Sequence, residues 1–191
     1  DVVMEEGEAA VVNGKFTNVP KVFHPAVVLR TGLNYGRVKG YREADLDGGG
    51  LRAGLALSTL VEFDADGDDN SGVRSEIDGI SKFHHLSVSG GLFHGLAQEG
   101  TSFYNQGYDA VGGHIQLGYA FGGWAQPVLR YSRVDPSGDE IHEDVYTAGL
   151  STYFFGHNVK WQNEFSLVNT SEFDAGTVTT YTAQSQVQLA F

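Results

Sequence analysis

The chain of 191 residues contains no cysteine, a single methionine and only 4 prolines. Without cysteine it can form neither a disulfide framework nor a thiolate metal site. It also lacks any apolar run of the roughly 18 to 20 residues that a transmembrane helix needs, which excludes a helical membrane protein. The sequence does not open at Asp1 with a basic and apolar leader that starts at a methionine. We therefore expect either a processed mature protein or a piece of a longer one.

Basic residues are also scarce, since 12 Lys and Arg stand against 24 Asp and Glu and the formal net charge is −12. Binding to nucleic-acid phosphates requires a clustered excess of Lys and Arg, so no nucleic-acid partner is expected. The acidic residues concentrate in short glycine-bearing stretches, at 45–50, 64–70 and 135–140. This pattern indicates solvated loops between nearly neutral structured segments.

Glycine and aromatic residues are abundant, with 26 Gly, 12 Phe, 9 Tyr and 2 Trp. They favour strands and turns over packed helices. In segments of about ten residues, large apolar residues alternate with small or polar ones, as in transmembrane barrel strands. In the last segment one face carries Tyr181, Val187 and Leu189, whereas the other carries Thr182 and a row of glutamines.

The alternation predicts about ten strands, at 9–18, 26–36, 51–63, 74–83, 86–97, 108–121, 124–134, 144–155, 159–169 and 181–191. We therefore expect an all-β fold, an antiparallel transmembrane β-barrel that occupies residues 1–191 as one domain or as the C-terminal part of one. Within 1–73 the assignment is irregular, because the long segment 37–50 falls where a short turn is expected. Either a further strand lies between 37 and 63 or that turn is atypical.

The predicted connections alternate in length along the chain. Short turns are expected at 122–123 and 156–158, and longer polar loops at 64–73, 98–107, 135–143 and 170–180. Outer-membrane barrels have short periplasmic turns and longer extracellular loops, which places the acidic loops outside. Aromatic residues flank both sets of connections, as interfacial girdles do, whereas a soluble β-sandwich would scatter them through its core. Those beside the turns are Phe121, Trp124, Phe154, Phe155 and Trp161, and those near the loops are Tyr131, Tyr146 and Tyr181.

The C-terminal third resembles the closing strands of the phosphate-selective porin O and P family. The motifs that carry the resemblance are Leu129-Arg-Tyr-Ser-Arg-Val-Asp135, Tyr146-Thr-Ala-Gly-Leu-Ser-Thr-Tyr-Phe-Phe155, Gly156-His-Asn-Val-Lys160 and Gln184-Ser-Gln-Val-Gln-Leu-Ala-Phe191. Earlier strands resemble the family more loosely, in Gly14-Lys-Phe-Thr-Asn18, Val28-Leu-Arg-Thr-Gly-Leu-Asn-Tyr35 and Leu86-Ser-Val-Ser-Gly-Gly-Leu-Phe93.

The resemblance implies a sixteen-stranded, usually homotrimeric barrel in the outer membrane of a Gram-negative bacterium, in contact with lipid and lipopolysaccharide. In that family the constriction loop and much of the basic ladder come from the N-terminal half. About ten strands cannot build such a barrel, so the chain is either a C-terminal portion or a smaller barrel with a narrow lumen. The terminal Phe191 resembles the signal that the barrel assembly machinery reads.

Passive permeation requires no catalytic group and no cofactor, so we do not expect an enzyme. Charged residues are expected to face the lumen, because a Lys or Arg facing lipid at the midplane costs ~2–4 kcal/mol. An alternative role for some of them is structural, as ion pairs of Arg130 or Lys160 with Glu164. The predicted pore-lining residues are Arg30, Arg52, Glu62, His114, Gln116, Arg130, Lys160 and Glu164.

Metal binding is not favoured by the sequence. Asp64, Asp66 and Asp68 are spaced like the start of a calcium loop, but Asp69 stands where that loop needs Gly and Ser75 where it needs Glu. A solvated loop is therefore the preferred interpretation. His84 and His85 are adjacent in a predicted tight turn, and such neighbours make a poor chelate because they point to opposite sides.

The leading functional hypothesis is a porin that passes small hydrophilic solutes or ions, with anions such as phosphate implied by the family name alone. The alternative is a non-conducting barrel that acts as a scaffold or adhesion platform through its acidic extracellular loops. A barrel enzyme of the lipase or protease kind requires a nucleophile constellation, and no Ser, His and acid arrangement stands out in the sequence.

Overall fold

The computed structural model describes residues 11–12, 15–16, 26–38, 42–62, 72–97, 108–136, 141–172 and 176–190. These residues form strands and turns, and they offer no apolar helix of membrane-spanning length. The strands are β1 Val11–Val12, β2 Lys15–Phe16, β3 Ala26–Tyr35, β4 Arg52–Glu62, β5 Gly72–Phe83, β6 Leu86–Ala97, β7 Tyr108–Tyr119, β8 Ala125–Pro136, β9 Ile141–Tyr153, β10 Val159–Glu172 and β11 Gly176–Leu189.

The nine strands from β3 to β11 form one antiparallel sheet in which every strand pairs with its neighbours in sequence. We call one end of the sheet the turn end; its strands are joined there by 36–51, 84–85, 120–124 and 154–158. The opposite end, the loop end, carries the connections 63–71, 98–107, 137–140 and 173–175. The arrangement is a meander, which needs only local antiparallel pairing.

Side chains alternate between two faces of opposite character. Pairing aligns Leu117, Leu129 and Phe165 on one face across β7 to β10. On the other face it aligns Gln116 with Arg130, because directly opposed residues of an antiparallel pair project to the same side. We call these the apolar face and the polar face. Every strand of the sheet contributes large hydrophobic side chains to the apolar face.

Burial is inverted relative to a water-soluble domain. Leu92 and Leu129 on the apolar face are 64% and 62% exposed, whereas Gln126 and Lys160 on the polar face are only 2% and 7% exposed. Soluble proteins bury their apolar residues and rarely expose large contiguous apolar patches. The polar face is therefore the inner face of this sheet, and the apolar face is the outer one.

The sheet is open in the described part of the chain, because its edge strands β3 and β11 do not pair with each other. All ten residues of β3 are exposed. A long exposed edge presents a row of unpaired backbone N–H and C=O groups and is a ready template for further strand pairing.

The prediction of about ten strands is too high for this sheet, which has nine. In the described residues of the segment predicted as one strand at 9–18, Val11–Val12 and Lys15–Phe16 are two short strands, β1 and β2, which pair with each other. Asn13-Gly14 lies between them in the sequence, and Asn-Gly is a strong signal for a tight hairpin turn. The alternation on either side of that dipeptide was wrongly joined into one strand.

The loops predicted at 135–143 and 170–180 are largely wrong. In the first, β8 continues to Pro136 and β9 begins at Ile141; in the second, β10 continues to Glu172 and β11 begins at Gly176. The run of Thr and Val at 177–180 belongs to β11, because β-branched residues favour strands even where they are polar. The predicted strands at 26–36 and 51–63 are confirmed as β3 and β4. No strand lies between them in the described residues, so that connection is an atypical turn.

Candidate functional site

The eight residues predicted to line a pore share the polar face. Two of them, Arg52 on β4 and Glu164 on β10, lie in one row of directly paired residues that crosses the sheet. The residues between them in that row are Lys82, Ser87, Gly118, Val128 and Gly149. The same alternation assigns the other six to this face: Arg30, Glu62, His114, Gln116, Arg130 and Lys160. A shared face is what a common passage requires, and the pore-lining role itself stays a prediction.

Long side chains on this face reach across intervening strands. Arg30 on β3 donates to both carboxylate oxygens of Asp78 on β5, at 2.6 and 2.7 Å, and to Ser58 Oγ on β4 at 2.5 Å. On β4 the residue opposite Asp78 is the small Ala56, which leaves room for this crossing. Bidentate pairing fixes the direction of the guanidinium, so the charges are held in place on the polar face.

A buried polar network lies on the polar face near the turn end. Gln126 on β8 donates to Ser87 Oγ on β6 at 2.9 Å and accepts from the Tyr153 hydroxyl on β9 at 3.0 Å. Between them on β7 lies Gly118, where a Cβ would overlap the Gln126 amide. In the described residues no buried side-chain nitrogen or oxygen lacks a partner. A fully satisfied network of this kind rigidifies its surroundings.

The atypical turn folds inward over this network. We call its residues 42–50 the inner strap. Asp45 of the strap is 1% exposed, and its carboxylate accepts from the Arg52 guanidinium and from the His85 backbone N–H at 2.9 Å. Arg52 also donates to the Gly48 carbonyl at 2.6 Å. The strap is thus attached to the start of β4 and to the turn between β5 and β6.

Two buried lysines attach the strap to distant strands. Lys82 Nζ on β5 donates to the carbonyls of Arg42 and Ala44, the latter at 3.1 Å, and Lys160 Nζ on β10 lies 3.5 Å from Glu43 Oε2. In a flat sheet β5 and β10 would lie roughly 24 Å apart, since they are separated by five strand spacings of about 4.8 Å each. The lysines of both strands nevertheless contact neighbouring residues of the strap. The sheet therefore curls towards its polar face, and the strap spans the concave side.

The turn at 84–85 is a two-residue hairpin loop, as predicted. His84 and His85 have φ values of 45° and 70°, in the left-handed region that such turns use and that histidine tolerates better than most residues. The His85 ring lies 3.1 Å from the Asp45 carbonyl through Nδ1, whereas the His84 ring packs edge-on against Phe83 at 4.2 Å. The two rings have different partners and form no chelate.

The alternative ion pairs of Arg130 or Lys160 with Glu164 are not seen among the described residues. Lys160 pairs with Glu43 instead. The strap brings Glu43 to Lys160 from a distant part of the sequence, and alternation within single strands carries no information about such a contact.

His157, in the turn between β9 and β10, has a pKa below its ordinary value of 6.5. Partial burial is the main cause, and the nearby positive charges of Lys82, Arg42 and Lys160 add to it, while Asp47 acts in the opposite direction. The folded protein therefore binds fewer protons at this site than the unfolded chain does. Its contribution to stability is complete above pH 6.5 and is lost as the pH falls below that value.

We expect His157→Asn to reduce the loss of stability on acidification. The free energy of unfolding, measured by urea titration, should decrease from above pH 6.5 to below it, and this decrease should be larger in the wild type than in the variant. His84→Asn removes a histidine from another turn and serves as the control for the substitution itself. Equal acid sensitivity of all three proteins would contradict the expectation.

Two sets of predicted residues lie outside the described part of the chain, namely the assembly signal Phe191 and the weak metal candidates Asp64, Asp66 and Asp68. Within the described ranges no group of three or more His, Asp or Glu side chains is placed to hold a metal ion.

Sequence reasoning missed the residues that organise the turn end, above all Asp45 and Lys82. Asp45 belongs to a glycine-bearing acidic stretch that was interpreted as a solvated loop, and that interpretation is wrong for a side chain that is 1% exposed. The available signal was length, because segment 37–50 was too long for the short turn expected at its position.

Comparison with protein-family models, with curated proteins and with solved structures finds no match. The resemblance to the phosphate-selective porin O and P family therefore stays a prediction from sequence motifs.

Proposed function

We propose that this chain is part of a bacterial outer-membrane β-barrel porin whose polar face lines a water-filled passage for small hydrophilic solutes. The observation that carries the proposal is the inverted sheet, with exposed leucines outside and buried polar side chains inside. A lipid-facing exterior and a polar lumen require this inversion, whereas a soluble sandwich requires the opposite.

Aromatic residues support a membrane position. Phe121, Trp124 and Phe155 are exposed at the turn end. Towards the loop end the apolar face carries Tyr146 and Tyr181, aligned in one row through Leu167. Interfacial girdles of this kind flank the apolar band of outer-membrane barrels. The turn end would then be periplasmic and the loop end extracellular, in contact with lipopolysaccharide.

The open edges support incorporation into a larger barrel. Both β3 and β11 expose nearly all of their residues, and closure by further strands would satisfy the backbone groups of these edges. The sixteen-stranded homotrimer of the porin O and P family is one such assembly. We include assembly by the barrel assembly machinery in the proposal, through Phe191.

The polar face suggests weak charge selectivity despite the overall charge of −12. Among the side chains that the structure describes on the polar face of β3 to β10, basic and acidic residues are nearly equal in number, so this wall lacks the acidic excess of the whole chain. The basic residues are Arg30, Arg52, Arg74, Lys82, Arg130 and Lys160, and the acidic residues are Glu62, Glu76, Asp78, Glu143 and Glu164. We therefore propose a general diffusion pore in preference to an anion-specific one.

The second candidate is a non-conducting barrel that acts as a scaffold. The inner strap favours it, because nine residues that occupy the concave side could close the passage. Conductance distinguishes the two functions.

Single-channel recording of the complete refolded barrel that contains this chain, in planar bilayers, tests the proposal. We expect stepwise conductance and a small reversal potential in a salt gradient, as balanced wall charges predict. Absence of conductance, with heat-modifiable β-structure still present, would favour the scaffold. A large reversal potential would contradict the general diffusion pore.

A further inference from the structure

We infer that the inner strap is the constriction at the turn end of the passage and sets the size of the solutes that cross it, an inference that rests on the proposed pore. The strap occupies the concave side of the sheet, where a solute that follows the polar face must pass. Its attachments to β4, β5 and β10 hold it across that route instead of beside it.

The attachments differ in strength, which indicates how the strap is held. Around Asp45 the contacts are buried and include charged hydrogen bonds with Arg52, so this end acts as a fixed anchor. At the other end Glu43 is about half exposed and makes one 3.5 Å ion pair with the buried Lys160. This pair is the contact of the strap with β10, whereas Lys82 Nζ holds the Arg42 and Ala44 carbonyls on either side of Glu43. Loss of the pair should therefore free the strap from β10 and leave it attached to β5.

The neighbouring side chains give the constriction a mixed charge. Lys82 and Lys160 approach the strap from the wall, while Glu43 and Asp47 belong to the strap itself. Because positive and negative charges lie together at one narrow point, an ion of either sign meets both attraction and repulsion there. The constriction therefore favours small neutral or zwitterionic polar solutes over ions.

A charge swap tests the inference. Glu43→Lys places like charges beside Lys160 and should free the strap from β10, whereas the double variant Glu43→Lys with Lys160→Glu restores an opposite pair. We expect the single variant to raise unitary conductance and to admit larger neutral sugars in liposome swelling. Both changes should be reversed in the double variant. Glu143→Lys makes the same charge change on the polar face but away from the strap, and controls for charge alone.

Hydrogen–deuterium exchange of residues 42–50 reports strap release independently of transport, and it should be faster in Glu43→Lys. Faster exchange with unchanged conductance and solute size would overturn the constriction and leave the pore intact. A silent wild type and a conducting Glu43→Lys variant would overturn the size-selecting constriction, because the strap would then close the passage completely. No conductance from any variant, with β-structure preserved, would overturn the pore and the constriction together.

Discussion

On the proposed lipid-facing exterior, Leu129→Lys is expected to destabilise the protein in lipid bilayers by about 2–4 kcal/mol, the cost of a lysine on the lipid-facing side of a barrel near the midplane. Leu129 lies within β8 on the apolar face and is 62% exposed, so it buries little against other protein groups. The cost therefore arises from transfer of the charge into hydrocarbon and includes little lost packing.

Val128→Lys is the matched control, since it is the adjacent residue on the opposite face. Its paired neighbours are Gly118 and Gly149, over which the Gln126 amide and the Glu164 side chain lie, so the new lysine enters a polar neighbourhood. Beyond Gly149 the same row reaches Glu164, an acceptor for the new charge. Urea unfolding in lipid vesicles measures both variants, and the assignment of faces would be wrong if Val128→Lys were the more damaging of the two.

Asp45→Ala is expected to detach the inner strap, at a local cost of about 3 kcal/mol. Removing the carboxylate leaves the Arg52 guanidinium and the His85 N–H without their acceptor, and loss of one partner of a buried pair is strongly destabilising. We take the lower end of the known range because the Arg52 side chain is 23% exposed.

Trypsin cleavage after Arg42 in detergent measures the detached population. A cost of about 3 kcal/mol corresponds to a roughly hundredfold faster cleavage, since about 1.4 kcal/mol is a factor of ten. Asp47→Ala removes a carboxylate two residues along the same strap, where the side chain is exposed, and should leave the rate near that of the wild type. Similar rates for both variants would contradict the role assigned to Asp45.

The strands and their faces were predictable because their signal is local. Side chains in a strand alternate with a period of two, so Gln116 and Arg130 could be assigned to one face and Leu117 and Leu129 to the other before any pairing was known. The errors occurred where a local signal was ambiguous. Thr177 and its neighbours are polar like a loop and β-branched like a strand, and the strand preference prevailed.

The connections of the turn end were only partly predictable. Gly122, Gly123 and Gly156 have positive φ values, and glycine in the sequence is a direct signal for such turns. Segment 37–50 offered no comparable signal for its path. Its acidic and glycine-rich composition is the same for a solvated loop and for a strap buried against lysines.

Residue alternation alone was thus enough to predict an all-β sheet with one polar and one apolar face, because a strand's two-residue period needs no knowledge of distant contacts. The open edges, the curl of the sheet and the position of the inner strap depended on tertiary structure. Contacts such as Glu43 with Lys160 join residues more than a hundred positions apart, and they exist only after β5 and β10 have been brought round to face the same segment. No local pattern of side chains encodes that approach.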